Sequence, residues 1–240
     1  MKQKWIIYVG FFVLLTAAFL FFVFKDYDFS RSKLSVINSY VPDFEFTNFD
    51  GKRFTNRNVE DKVYVAEYFF TTCKGICPKM NANMRRVYNE FREEENFAIV
   101  SHTCQPEVDS LPLLKMYANK MINGKLSLTN GNYSVSEPDS TTATTISNWY
   151  FVTGDKTELY KLARQGYMID NGKPDTAQNI EDQFIHTQFF ALVDKNRRVR
   201  GIYDGLKEKE ILKLLTDIND LLKEKITSKR FMDGFGNNPG

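Results

Sequence analysis

The sequence predicts an α/β domain built on a mixed sheet and carried by a single N-terminal transmembrane helix. Three observations predict it. Short runs rich in β-branched and aromatic residues alternate with stretches of helical apolar spacing, the pattern of a sheet with covering helices. The last two such runs have only a turn between them, which makes an antiparallel pair and therefore a mixed sheet. The N-terminus carries a charge-free span long enough to cross a bilayer.

That span is Trp5 to Phe24. At about 1.5 Å per residue, its roughly 20 residues match a hydrocarbon core about 30 Å thick. Lys2 and Lys4 precede it, while Lys25, Asp26 and Asp28 follow. The cationic bias leaves residues 1–4 in the cytoplasm and puts the globular part on the exoplasmic, periplasmic side. The span closes on Leu20-Phe21-Phe22-Val23-Phe24 rather than on small residues, which favours an uncleaved anchor over a signal peptide.

Residues 25–41 are polar and mixed in charge, and are expected to form a stalk below a domain at 42–225. Phe44, Phe46, Phe49 and Phe54 flank Asp50-Gly51, a turn signal that predicts a hairpin. Residues 62–70 read as a strand buried on both faces, and 78–91 as a helix with Pro78 in its first turn. A strand at 96–102 and a helix at 111–121 follow. The polar stretch 123–147 lacks apolar periodicity and reads as an inserted surface loop that can hold a short hairpin. Residues 149–152 form a strand, and 157–165 a short helix ended by Gly166. After a loop at 170–181 come a second hairpin, 188–193 with 198–203, and an amphipathic helix at 207–223. Residues 226–240 form a flexible tail. This order is that of a thioredoxin-like fold with an N-terminal β-hairpin addition.

Composition limits the function. With 32 basic and 30 acidic side chains the formal charge is +2, which provides no broad footprint for nucleic acid. Arg197-Arg198 reads as solvated surface. Three cysteines are too few to staple the domain, so each thiol needs its own explanation.

Cys73 and Cys77 lie in Thr72-Cys73-Lys74-Gly75-Ile76-Cys77-Pro78, where the strand at 62–70 turns into a helix. Their spacing allows a disulfide and also allows both sulfurs to face one ion. The unpaired amides and positive dipole end of the helix are expected to lower the thiol pKa values. Redox chemistry and metal capture both follow from that placement. His186 precedes the apolar strand 188–193 and, in a thioredoxin-like arrangement, faces the cysteine turn across the sheet end. No proline stands at that strand entry, where thiol oxidoreductases of this fold carry one. Two thiolates and one imidazole make a soft set suited to cuprous copper and usable by cupric copper. Cys104 reads as a small core residue, with an auxiliary sulfur as the functional alternative. His102, in an apolar strand, reads as structural, and Met80 and Met84, four apart on a helix, as core packing.

The chain resembles the Sco/SenC family of thioredoxin-fold copper proteins. The resemblance is carried by Phe70-Thr71-Thr72-Cys73-Lys74-Gly75-Ile76-Cys77-Pro78, by Ser101-His102-Thr103-Cys104-Gln105-Pro106-Glu107 and by Trp149-Tyr150-Phe151-Val152-Thr153-Gly154. It continues through Ile185-His186-Thr187 to Gly201-Ile202-Tyr203-Asp204-Gly205, and covers roughly residues 41–225. It implies that Cys73, Cys77 and His186 bind one copper ion, Cu(I) or Cu(II), for assembly of the CuA centre of cytochrome c oxidase. The chain departs from the family in having Gln105, where an aspartate commonly precedes the proline, and in the length of its polar insertion.

Two functions follow for the same residues. One is a membrane-anchored metallochaperone, not an enzyme, whose partner is the CuA-bearing oxidase subunit or another copper or thiol protein. The other is an exported thiol–disulfide oxidoreductase in which Cys73 and Cys77 are the catalytic couple. A redox or copper sensor would share the site.

Overall fold

The computed structural model describes residues 2–24, 34–138, 147–170 and 188–226. The N-terminal helix α1 spans Lys2–Phe24. Its segment Trp5–Phe22 is long and apolar enough to cross a membrane.

The domain is organised by a seven-stranded mixed sheet. In chain order its strands are β1 (Glu45–Asn48), β2 (Arg53–Thr55), β3 (Val63–Phe69), β4 (Phe97–Thr103), β7 (Trp149–Thr153), β8 (Phe189–Val193) and β9 (Val199–Asp204). They lie side by side as β2-β1-β7-β4-β3-β8-β9. The centre, β7-β4-β3, is parallel, with Val65 opposite Ile99 and Ile99 opposite Trp149. The hairpins β1-β2 and β8-β9 extend it antiparallel at either side. This is the mixed, thioredoxin-like sheet with an N-terminal hairpin that the sequence predicts.

Period-2 alternation explains why β3 and β4 are buried along their whole length. Val63, Val65 and Phe69 face one layer of helices: α2 (Cys77–Phe91), α3 (Leu111–Asn123) and α5 (Glu208–Lys223). Tyr64, Ala66 and Tyr68 face the other layer, formed by phenylalanines of the N-terminal hairpin and by α4 (Lys156–Lys161). Asp155 caps α4 by accepting from the Glu158 amide at 3.0 Å. The helix expected at 157–165 widens at Leu162 into a π turn, closed by the Tyr167 N–H on the Leu162 carbonyl at 2.8 Å.

The polar insertion contains the small hairpin β5 (Leu126–Thr129) and β6 (Asn132–Val135). Its two-residue turn, Asn130-Gly131, has φ of 51° and 74°. Asn and Gly are the residues that tolerate this left-handed pair. Arg86 of α2 lies 4.2 Å from the Tyr133 ring of β6, which ties the hairpin to the body.

Two expectations need correction. The stalk proposed over 25–41 is docked from Leu34 onward: the Ile37 amide donates to the Val199 carbonyl at 2.8 Å, and Val41 is fully buried. This segment covers the edge of β9 that would otherwise be open to pairing. Arg197 and Arg198 are not solvated surface. Arg197 pairs with Asp43 at 2.7 Å and stacks on Tyr40, and Arg198 pairs with Asp194 at 2.7 Å. The β8-β9 turn brings Asp194 and the entering chain to both guanidinium groups, so they are part of the packing. The 170–181 loop beyond residue 170, His186 and the tail from 227 lie outside the described residues.

Candidate functional site

The candidate site is the turn between β3 and α2. β3 ends at Phe69, and the Phe70 carbonyl accepts the Cys73 amide at 3.2 Å, closing a tight turn. Cys77 opens α2 with Pro78 in the first turn, where a missing N–H costs no helical bond. Ile76 stands at the cap position and offers no side-chain hydrogen bond to the helix amides. Thr72, Lys74, Gly75 and Ile76 are exposed around a half-buried Cys73, whereas Cys77 is buried. One thiol is therefore reachable from solvent and the other sits beneath it.

The structure places the two thiols near enough for one to affect the other's ionisation. It does not lower the Cys77 pKa. Burial, then the Cys73 sulfur beside it, push the Cys77 thiol well up, against a smaller opposing effect of the Phe70 backbone. Desolvation dominates here because Cys77 is buried in the same core cluster as Met80 and Met84. Ionising Cys77 thus needs a compensating positive charge at the pair, and a bound cation supplies it while releasing the proton.

β4 ends beside the turn, and the alternation of its side chains separates residues that are neighbours in sequence. Thr103 faces the cysteine layer; His102 and Cys104 face the opposite one. Cys104 is buried, its Sγ donating to the Phe69 carbonyl at 3.2 Å, and burial raises its pKa. It belongs to the core behind the sheet. The His102 ring stacks on Tyr68 at 4.8 Å and contacts Phe46 and Tyr167 edge-on; burial holds it neutral, with its pKa pushed down to about 4. Met80 and Met84 are fully buried, as core packing requires.

Three polar residues escape sequence reasoning. Asp109, in the β4–α3 loop, is buried and accepts from the Thr71 hydroxyl at 2.5 Å, the Thr71 amide at 3.2 Å and the Thr103 hydroxyl. Asn81, one turn after Cys77, donates to the Tyr117 hydroxyl of α3. Glu67 of β3 is fully buried on the same face; Ser101 donates to its Oε1 at 2.5 Å, Trp149 donates to Ser101 at 2.8 Å, and its Oε2 has no partner among the described residues. Only the charge of Glu67 inside an apolar strand could have drawn notice. The reach of Asp109 back to Thr71 spans 38 residues and leaves no local signature.

Among the described residues no three His, Cys, Asp or Glu side chains are grouped to hold a metal ion, so the two thiols need a further ligand. β8 runs antiparallel to β3, with Ala191 opposite Ala66 and Val193 opposite Tyr64. The start of β8, at Phe189, therefore lies at the end of the sheet where β3 runs into the cysteine turn. His186 precedes that start by three residues in sequence.

The SCO1/SenC family model matches residues 33–223. A SCO1 protein homolog of Bacillus subtilis (strain 168) is 28% identical over 184 residues, which are 76% of this chain and 82% of the relative. The solved structure of BsSco is described as a member of the Sco family of cytochrome c oxidase assembly proteins with a disulfide switch. It is 25% identical, with a TM-score of 0.59 over 80% of this chain and 98% of that one. Yeast Sco1, solved with copper bound, is 18% identical with a TM-score of 0.53, covering 80% of this chain and 93% of its own, and shares the fold.

Proposed function

Because the chain belongs to the SCO1/SenC family, we propose that it is a membrane-anchored copper metallochaperone, holding one copper ion on Cys73, Cys77 and His186 for assembly of the CuA centre of cytochrome c oxidase. The observation that carries this reading is the antiparallel register of β8 on β3, which starts β8 at the same sheet end as the thiol pair. Copper bound to yeast Sco1 and the oxidase-assembly description of the family of BsSco agree with it. A half-buried thiol over a buried one offers soft sulfur donors with an entry from solvent, and an imidazole completes a set preferred by cuprous and accepted by cupric ion. The ion is cargo. Both cysteines must be reduced and deprotonated to take it, so loading releases protons and is blocked by the Cys73–Cys77 disulfide.

In the same reading residues 5–24 anchor the chain, and the domain, whose docked segment begins at Leu34, lies on the exoplasmic side. The recipient is the CuA-bearing subunit or another copper or thiol protein. Titration of the full chain in detergent with cuprous and cupric copper tests the ligand set. About one equivalent is expected, with tenfold or greater losses for Cys73→Ala, Cys77→Ala and His186→Ala. Unchanged affinity in His186→Ala refutes it.

A thiol–disulfide oxidoreductase is the second reading, favoured by a pair of free thiols at one turn, of which Cys73 is reachable from solvent. It expects turnover with a thiol donor that is indifferent to His186→Ala.

A further inference from the structure

A buried carboxylate is costly unless its oxygens are satisfied, and the donors that satisfy Asp109 are chosen in an informative way. Asp109 is 1% exposed. One oxygen accepts the Thr71 hydroxyl at 2.5 Å and the Thr71 amide at 3.2 Å, and the other accepts the Thr103 hydroxyl. Thr71 lies two residues before Cys73, in the first part of the turn. Thr103 is the last residue of β4, and its hydroxyl accepts the Gln105 amide at 3.0 Å. Asp109 therefore fastens the start of the cysteine turn to the end of the neighbouring strand. α2 holds Cys77 through its own backbone bonds, whereas Cys73 sits between that helix and the strand, packed on the core edge, with its amide on the Phe70 carbonyl and the clamped Thr71 two residues before it.

We propose that Asp109 is a positioning residue for Cys73: by holding Thr71 it sets how the Cys73 sulfur is presented beside Cys77, and through that both the copper affinity of the pair and the ease of closing it as a disulfide. The copper arm rests on the metallochaperone reading; the disulfide arm does not. In the disulfide arm, the Cys73 and Cys77 thiols give up two protons and two electrons to oxidised glutathione, forming one S–S bond while the glutathione disulfide is cleaved to two thiols.

The test uses the full chain in detergent with Asp109→Asn, the milder Thr71→Val, the hydroxyl-preserving Thr71→Ser, and Asp217→Asn as a control. Asp217 lies on α5 and accepts the Tyr203 hydroxyl at 2.5 Å, away from the turn. Cuprous affinity is read by competition with a chromophoric chelator, and the disulfide equilibrium by alkylation after incubation in glutathione buffers. Asp109→Asn is expected to weaken copper about 10–100-fold, as loss of an outer-sphere partner does. It is also expected to lower the equilibrium constant for disulfide closure about tenfold, since a looser turn lowers the effective concentration of one thiol at the other. Thr71→Val follows in the same direction, Thr71→Ser matches the wild type, and Asp217→Asn lowers thermal stability alone. Both constants unchanged in Asp109→Asn and Thr71→Val, or an equal change in Asp217→Asn, would overturn the proposal. A wild type that binds no copper removes the metallochaperone reading, and the glutathione equilibrium still decides the role of Asp109.

Discussion

Replacing Glu67 with glutamine is expected to change how the stability of the domain depends on pH. Glu67 is fully buried among Phe69, Trp149 and the α2 side chains, and burial raises its pKa from 4.5 to about 8, with the Ser101 hydroxyl opposing. Between those two values the folded state keeps a proton that the unfolded chain has released. Its contribution is thus complete below pH 4.5 and is lost as pH rises toward 8. At about 1.4 kcal/mol per pH unit the whole span is worth up to about 5 kcal/mol, of which about 3 kcal/mol is already lost at pH 7. Glutamine keeps the shape and presents an N–H where the protonated acid presents an O–H, without the titration. Guanidinium denaturation of both proteins in detergent at pH 5, 6, 7 and 8, followed by fluorescence of the buried Trp149, gives the difference directly. The stability of Glu67→Gln relative to wild type should climb with pH at that slope. A difference that stays flat across the range would mean that Glu67 is ionised in the folded state, and the argument from burial would fail.

His102 works in the opposite sense: its folded pKa of about 4 lies below the ordinary 6.5, so its contribution is present above 6.5 and is lost as pH falls toward 4. His102→Phe, which suits the aromatic cage, should move the acid-unfolding midpoint to lower pH by circular dichroism. Arg200 is 1% exposed on its side chain and bridges Asp194 at 2.8 Å and Glu224 at 2.9 Å. Arg200→Met leaves buried carboxylates short of a cation and should cost about 3–5 kcal/mol in chemical denaturation, with copper stoichiometry unchanged. Met84→Ala, at a fully buried position in the layer below the cysteines, should cost about 2–5 kcal/mol in the same assay.

The fold was largely legible because its signals are local. The β-branched and aromatic runs of β3 and β4, the Asp50-Gly51 and Asn130-Gly131 turns and the heptad-like spacing of α5 each declare an element from a few residues, and their order leaves few sheet topologies open. The thiol pair was legible for the same reason, being four residues apart beside a proline. Arg197 and the docked segment from Leu34 were misread since nothing in their own neighbourhood shows Asp43 or the edge of β9, and Arg198 because its pair with Asp194, four residues away, forms only once the turn closes.

By itself, then, the sequence determined the kinds of element, their order, an apolar N-terminal span and the presence of two thiols at a strand-to-helix turn. Tertiary structure decided the environment of those thiols. It buried Cys77 deeply enough that desolvation overrides the helix end, turned Cys104 to the far side of the sheet by the pleat of β4, and brought Asp109 back onto Thr71. Desolvation and hydrogen bonding depend on which distant atoms exclude or replace water, and that information exists only once the chain has closed on itself.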